Sequence, residues 1–131
     1  MGAWGLGPFE NDDALDFVSQ LESAGVPALR AALEEVTSLD PGVYLEAPQA
    51  SSAIAAAEVI VALKGGPALG LPPELVDWLR TVPPQDESLG PLAMQAVDRI
   101  RANSELKELW AESPQASDWQ AYMADLQQRL G

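Results

Sequence analysis

The sequence of 131 residues contains neither cysteine nor histidine. A chain without these residues has no disulfide, no thiolate nucleophile, no Ser-His or Cys-His dyad, and no metal site built from His and Cys ligands. Its lysines are Lys64 and Lys107. An enzyme would therefore have to rely on carboxylates, arginines, hydroxyls or these two amines. The composition favours a non-enzymatic protein, and we expect no bound cofactor and no metal ion.

Basic residues are also scarce, because 7 Lys and Arg residues face 20 Asp and Glu residues, for a net charge of −13. Such a chain repels phosphates, so we expect neither a nucleic acid nor an anionic membrane as a partner. Residues 1–46 carry nine acids and one base, a net charge of −8. This charge serves either solubility alone or a docking face for a basic protein.

A long apolar run is missing as well. The strongest candidate, residues 53–63, is interrupted by Glu58 and is too short to cross a bilayer. The N-terminus has no basic region of the kind that opens an export signal, and acidic residues appear from Glu10 onward. These patterns predict a cytoplasmic protein.

What the chain does contain is 47% hydrophobic and 21% charged residues, the balance of a folded globule. We expect one domain over residues 1–131. Apolar residues recur at helical spacing between Gly and Pro breaks, and in the first helix this stripe consists of Ala14, Leu15, Val18 and Leu21. Helices are predicted over about 12–23, 27–37, 49–64, 73–79, 88–103 and 104–110, with a terminal amphipathic helix after Pro114.

The segment 49–64 is apolar on nearly every side of the helical wheel. A helix of this kind belongs at the centre of a bundle, since no face of it suits water. The predicted fold is therefore all-α, a compact bundle of six to seven helices around this central Ala-rich helix. Residues 1–10 are rich in glycine and predict an irregular N-terminal arm anchored by Trp4 and Phe9.

Glu58 is the only charged residue between Glu46 and Lys64. If its helix is central, the carboxyl group must be neutralised or paired. The candidate partners are Arg99, Arg101 and the indole N–H of Trp4. A buried structural ion pair and a catalytic acid or base are both compatible with this pattern, and we favour the ion pair.

The start of the first helix has its own signals. Asn11 predicts an N-cap, and Asp12 and Asp13 suit the positive end of the helix dipole. The glycines before them resemble an anion-binding loop only superficially, because no strand precedes them and acids occupy the position of a phosphate. The acids do not have the spacing of a calcium-binding EF-hand loop. We expect neither a nucleotide nor a calcium ion at this position.

The opening MGAWGLGPFENDD resembles a bacterial family known as domain of unknown function 4259, whose members begin Met-Gly-x-Trp-Gly-x-Gly-x-Phe-x-Asn-Asp. The Ala-rich AAAEVIVAL segment is similar to a second block shared by that family. The resemblance implies a small bacterial protein and transfers no catalytic residues. Together with the reasoning above, it identifies one candidate functional or structural cluster, composed of Trp4, Phe9, Asn11, Asp12 and Glu58.

Two functions are compatible with the sequence. The first is a non-enzymatic acidic protein-binding module, for example the immunity or inhibitor partner of a basic toxin, with Glu34, Glu35 and Asp40 as its candidate docking surface. The second is an enzyme or small-ligand binder that uses Glu58 and an arginine in a pocket lined by Trp4 and Phe9. We favour the first, because the usual catalytic residues are missing and the N-terminal third is strongly acidic.

Overall fold

The computed structural model describes residues 7–83 and 87–131, and over these residues the chain forms seven α-helices and no strand. Trp4 lies outside the described residues. The all-α prediction is confirmed. In chain order the helices are α1 (Asp12–Ala24), α2 (Val26–Thr37), α3 (Ala47–Leu63), α4 (Pro73–Leu79), α5 (Leu89–Ala102), α6 (Glu105–Ala111) and α7 (Ala116–Leu130).

Helix α1 begins as the sequence predicts, because Asn11 Oδ1 accepts a hydrogen bond of 2.8 Å from the backbone N–H of Ala14. Its buried face differs from the prediction in one position. Phe17 is buried, whereas Leu15 is 38% exposed. Phe17 lies three residues after Ala14, and so it completes the i, i+3, i+4, i+7 spacing that one helical face requires.

Helix α3 is central, and it packs against α1, α2, α5, α6 and α7. Its buried residues occupy all sides of the helix, and most of them are small. Short alanine side chains let neighbouring helices approach closely, so α3 can pack against five other helices. Helix α3 starts two residues earlier than predicted, since Glu46 and Gln49 form a capping box and Pro48 fits its first turn.

Two glycines end α3 and reverse the chain. Gly65 has a positive φ of 82°, a backbone conformation that favours glycine. Its N–H donates to the Ala62 carbonyl at 3.0 Å, and the Gly66 N–H donates to the Val61 carbonyl at 2.9 Å. This pair of bonds defines a Schellman motif. The chain that follows, residues 67–69, therefore returns alongside the last turns of α3.

The C-terminal helices α5, α6 and α7 also pack against α3. Ser104 Oγ accepts from the Lys107 N–H at 3.0 Å and donates to the Ile100 carbonyl at 2.8 Å, so one side chain joins α5 to α6. Helix α7 buries Trp119, Met123 and Leu126. Within the described residues, no helix combines the length and the hydropathy that a membrane span requires.

Candidate functional site

The Glu58 side chain lies at the junction of α3, α7 and the loop after the Schellman motif, and it is 0% exposed. Arg129 of α7 binds both of its carboxylate oxygens. Arg129 Nη1 donates to Oε1 at 2.6 Å and Nη2 donates to Oε2 at 2.9 Å. A bidentate pair of this kind is among the strongest polar contacts in proteins, because both bonds are charge-assisted. Glu58 is therefore buried as one half of an ion pair.

Two further donors complete the shell around this carboxylate. The backbone N–H of Leu69 donates to Glu58 Oε1 at 3.1 Å, and the Tyr122 hydroxyl donates to Oε2. Each oxygen thus accepts two hydrogen bonds, and the buried side-chain N and O atoms of the described residues all have partners. Such saturation suits a structural role, since no lone pair is left facing a substrate.

Arg129 and Tyr122 are tuned by the same carboxylate. Hydrogen bonding to Glu58 is the main cause that raises the pKa of Arg129, and the bond of 2.7 Å from Nε to Asp125 Oδ2 adds to it. Burial, followed by the negative charge of Glu58, raises the pKa of Tyr122 well above its ordinary value. At neutral pH the arginine is therefore charged and the phenol is protonated, which is the arrangement that the carboxylate needs.

The prediction that Glu58 pairs with an arginine is confirmed, but both arginines named for this role are wrong. Arg99 donates to backbone carbonyls of residues 39, 40 and 43. Arg101 donates to Gln120 Oε1 at 3.4 Å and to Gln127 Oε1 at 2.5 Å. Both residues lie on α5. The Arg99 side chain binds the segment between α2 and α3, and the Arg101 side chain binds α7. The Trp4 alternative lies outside the described residues.

One sequence signal could have identified the true partners. Tyr122 and Arg129 are seven residues apart, so they lie on one face of α7. That face borders the apolar stripe, because Arg129 follows Leu126 by three residues. An arginine next to a buried stripe, on the helix that flanks the centre of a bundle, is a candidate partner for a buried acid.

The structure separates the remaining members of the predicted cluster. Phe9 is buried, and a Cβ at Gly70 would lie 4.0 Å from its ring, so Phe9 packs near the loop that reaches Glu58. Asn11 caps α1, and Asp12 is exposed in the first turn of that helix. Phe9 and Glu58 thus lie beside the same loop, whereas Asn11 and Asp12 lie at the start of α1.

The candidate docking surface is exposed as expected. Glu34 and Glu35 lie near the end of α2 and Asp40 follows it, and all three are exposed. Within the described part of the chain, no ion pair engages their carboxylates. Among the described residues, their carboxylates thus face solvent.

Asp40 belongs to the α2–α3 loop, residues 38–46, and Arg99 holds this loop in place. The guanidinium donates to the carbonyls of Leu39 at 3.4 Å and Asp40 at 3.3 Å, and also to the carbonyl of Val43. At the far end, the N–H of Glu105 donates to the Leu45 carbonyl at 2.8 Å. The loop is anchored at both ends although it has no regular structure.

A shallow recess lies beside this loop. Its volume is about 190 Å³, too small for most ligands of drug size. Its charged lining group, Arg99, already donates to the loop carbonyls. Among residues 7–83 and 87–131, no group of three or more acidic side chains is arranged to hold a metal ion. The recess is lined by Val36, Thr37, Leu39, Pro41, Gln95 and Arg99.

Comparison with known families adds one match. The model of the family described as domain of unknown function (DUF4259) matches residues 2–122. The chain belongs to this family. No curated protein and no solved structure matches it.

The DUF4259 match contains Glu58, Tyr122 and the whole α2–α3 loop, whereas Arg129 follows the matched region. The region matched by the family model therefore includes both Glu58 and Tyr122, whose hydroxyl donates to it. The cation that completes the pair is identified by the geometry of this chain alone.

Proposed function

We propose that this DUF4259 protein is a non-enzymatic binding module that recognises a basic protein through the docking surface of Glu34, Glu35 and Asp40. The observation that carries the proposal is a contrast between acids. Glu58 is desolvated and fully neutralised by Arg129, while the three docking carboxylates are exposed and form no ion pair within the described residues. Exposed, unpaired charge is the form of charge that a partner can use.

The position of these acids supports a basic partner. Residues 1–46 carry a net charge of −8, so the docking surface lies in the most negative third of the chain. A field of this kind acts over about 8 Å at physiological ionic strength and accelerates the encounter with a positively charged surface. An inhibitor or immunity-type protein that blocks a basic toxin would use it in this way.

The competing enzyme hypothesis receives less support from the geometry around Glu58. A catalytic carboxylate has to reach substrate, directly or through one water. Here the side chain is 0% exposed, and each oxygen accepts two hydrogen bonds from the protein. A substrate would have to displace one of these donors to reach Glu58, so the sealed pair favours the binding hypothesis.

The test compares three purified baits in native lysate, each immobilised at the same density. The baits are the parent, a docking variant (Glu34→Gln, Glu35→Gln, Asp40→Asn) and a control variant (Glu74→Gln, Glu112→Gln, Asp118→Asn). Both variants remove two glutamates and one aspartate, all exposed, so they have equal net charge. We expect the parent and the control to retain one basic protein that the docking variant loses.

The retained protein is then purified, and its association rate with each bait is measured at rising salt. The proposal requires a stoichiometric complex whose association rate falls steeply with salt and is slowest for the docking variant. Retention of only acidic proteins would contradict it. Equal losses in both variants would mean that net charge, and not this surface, determines binding.

A further inference from the structure

The α2–α3 loop displays two large apolar side chains to solvent next to the docking surface. Tyr44 is 53% exposed and Val43 is 44% exposed, whereas the next residue, Leu45, is buried at 1% exposure. A tyrosine side chain usually buries most of its ring. An exposed aromatic side chain with an exposed valine beside it, on a loop whose neighbour is anchored in the core, is typical of a contact surface for another protein.

The loop holds these side chains in a defined position. Arg99 donates to three of its carbonyls, Val43 N–H donates to the Asp40 carbonyl at 2.9 Å, and Glu105 N–H donates to the Leu45 carbonyl at 2.8 Å. A backbone fixed before binding loses little conformational entropy when a partner arrives. Tyrosine adds little further cost, because its side chain has only two rotatable angles.

The electrostatic surroundings of the Tyr44 ring are negative. Desolvation and the charges of Glu108 and Glu105 raise the pKa of the Tyr44 hydroxyl, with a smaller contribution from Glu46. The ring therefore stays neutral at physiological pH, and acids surround it. Arg99, the cation that binds this loop, is engaged by backbone carbonyls. A neutral aromatic face among carboxylates complements a positively charged side chain, and arginine most of all.

We infer that the α2–α3 loop binds a basic segment of a partner protein by stacking an arginine of that segment on the exposed ring of Tyr44. The surrounding carboxylates, Glu46 and Glu108, draw the guanidinium to the ring, and Val43 contacts the apolar stem of the same side chain. This inference rests on the proposed function, and it specifies the anchor residue and the chemistry of the partner.

The experiment uses two fluorescent peptides of equal length and charge, one alternating Arg and Ser and the other alternating Lys and Ser. Their affinities for the full chain are measured by anisotropy at low ionic strength. We expect tighter binding of the Arg peptide to the parent. Tyr44→Ala should weaken its binding by about threefold to fivefold, the size of an exposed cation–π contact. Tyr44→Phe, which keeps the ring, should stay within about twofold of the parent.

Leu69→Ala is the matched control, because Leu69 is also a large apolar residue on a loop and is 45% exposed. It should leave both affinities unchanged. Equal binding of the two peptides, an unchanged affinity in Tyr44→Ala, or no binding of either peptide would overturn the inference. If the docking variant still loses its basic protein from lysate while Tyr44→Ala retains it, the inference fails and the proposed function stands.

Discussion

Two arginines of this protein are each surrounded by acceptors, yet they do different work. Arg129 has a side chain that is 10% exposed, and it binds the carboxylate of the buried Glu58. Arg99 forms no ion pair with a carboxylate of the described residues and instead holds three backbone carbonyls of the α2–α3 loop. The first arginine neutralises a charge inside the bundle, whereas the second orders a loop at its surface.

The contrast explains how an acidic chain can fold around a charged residue and still present charge to a partner. Burying an ion is costly unless its counter-ion is buried with it, so the acid of the central helix requires a dedicated arginine. Acids in water require no such partner. The surplus negative charge therefore remains at the surface. Arg99 does not pair with the docking acids, because its donors bind backbone carbonyls.

The sharpest way to test this contrast is to remove the buried acid. Glu58→Ala leaves Arg129 without its main partner, and we expect a loss of about 3 to 5 kcal/mol in the free energy of unfolding. Glu35→Ala, an exposed acid on α2, should change it by less than about 0.5 kcal/mol. Urea denaturation of both variants measures the difference. Similar effects for the two would contradict the structural role of Glu58.

Replacing both members of the pair separates attraction from desolvation. Arg129→Met leaves the Glu58 charge buried, so it should be as damaging as Glu58→Ala. The double variant Glu58→Leu with Arg129→Met removes both charges, and it should lose at least about 2 kcal/mol less than the two single changes added together. A double-mutant cycle with Glu58→Leu as the second single variant provides the measurement. Additive losses would show that the two side chains are not coupled.

The second arginine should matter less for the fold and more for the loop. Arg99→Met removes the donors to three carbonyls, and we expect a loss of about 1 to 2 kcal/mol in the free energy of unfolding. Amide hydrogen exchange should accelerate in residues 38–46 and remain slow in α3. Arg101→Met, on the same helix, is the control, and it should leave exchange in the loop unchanged. Uniform acceleration across the bundle would mean that Arg99 supports the core instead.

Tyr122→Phe should have the smallest effect at neutral pH, about 1 kcal/mol, because one hydrogen bond to Glu58 is lost. The raised pKa of Tyr122 adds a dependence on pH. The folded state keeps the phenol protonated while the unfolded state ionises near pH 10, so this contribution is complete below pH 10 and declines as the pH rises above it. The parent should therefore lose more stability than Tyr122→Phe between neutral pH and about pH 11. Parallel curves would contradict the assignment.

Much of the fold could be predicted from local patterns. The N-cap at Asn11 and the all-round apolarity of α3 act over a few residues, and both have the predicted roles. The need for a partner next to Glu58 also followed from burial alone. The identity of the partner did not, because it depends on which helix packs against that side of α3, and the position of Arg129 beside the apolar stripe of α7 makes it a candidate without selecting it over the other arginines.

The distance along the chain between Glu58 and Arg129 has a consequence for folding during synthesis. The two residues are 71 positions apart, so the ribosome makes the central helix well before it makes the cation that neutralises it. At about 5 to 20 residues per second, this interval lasts about 4 to 14 seconds. During that time an ionised Glu58 opposes the collapse of α3 into a dry core. The nascent helix bundle is therefore expected to remain loose, and open to chaperones, until α7 is made and docks.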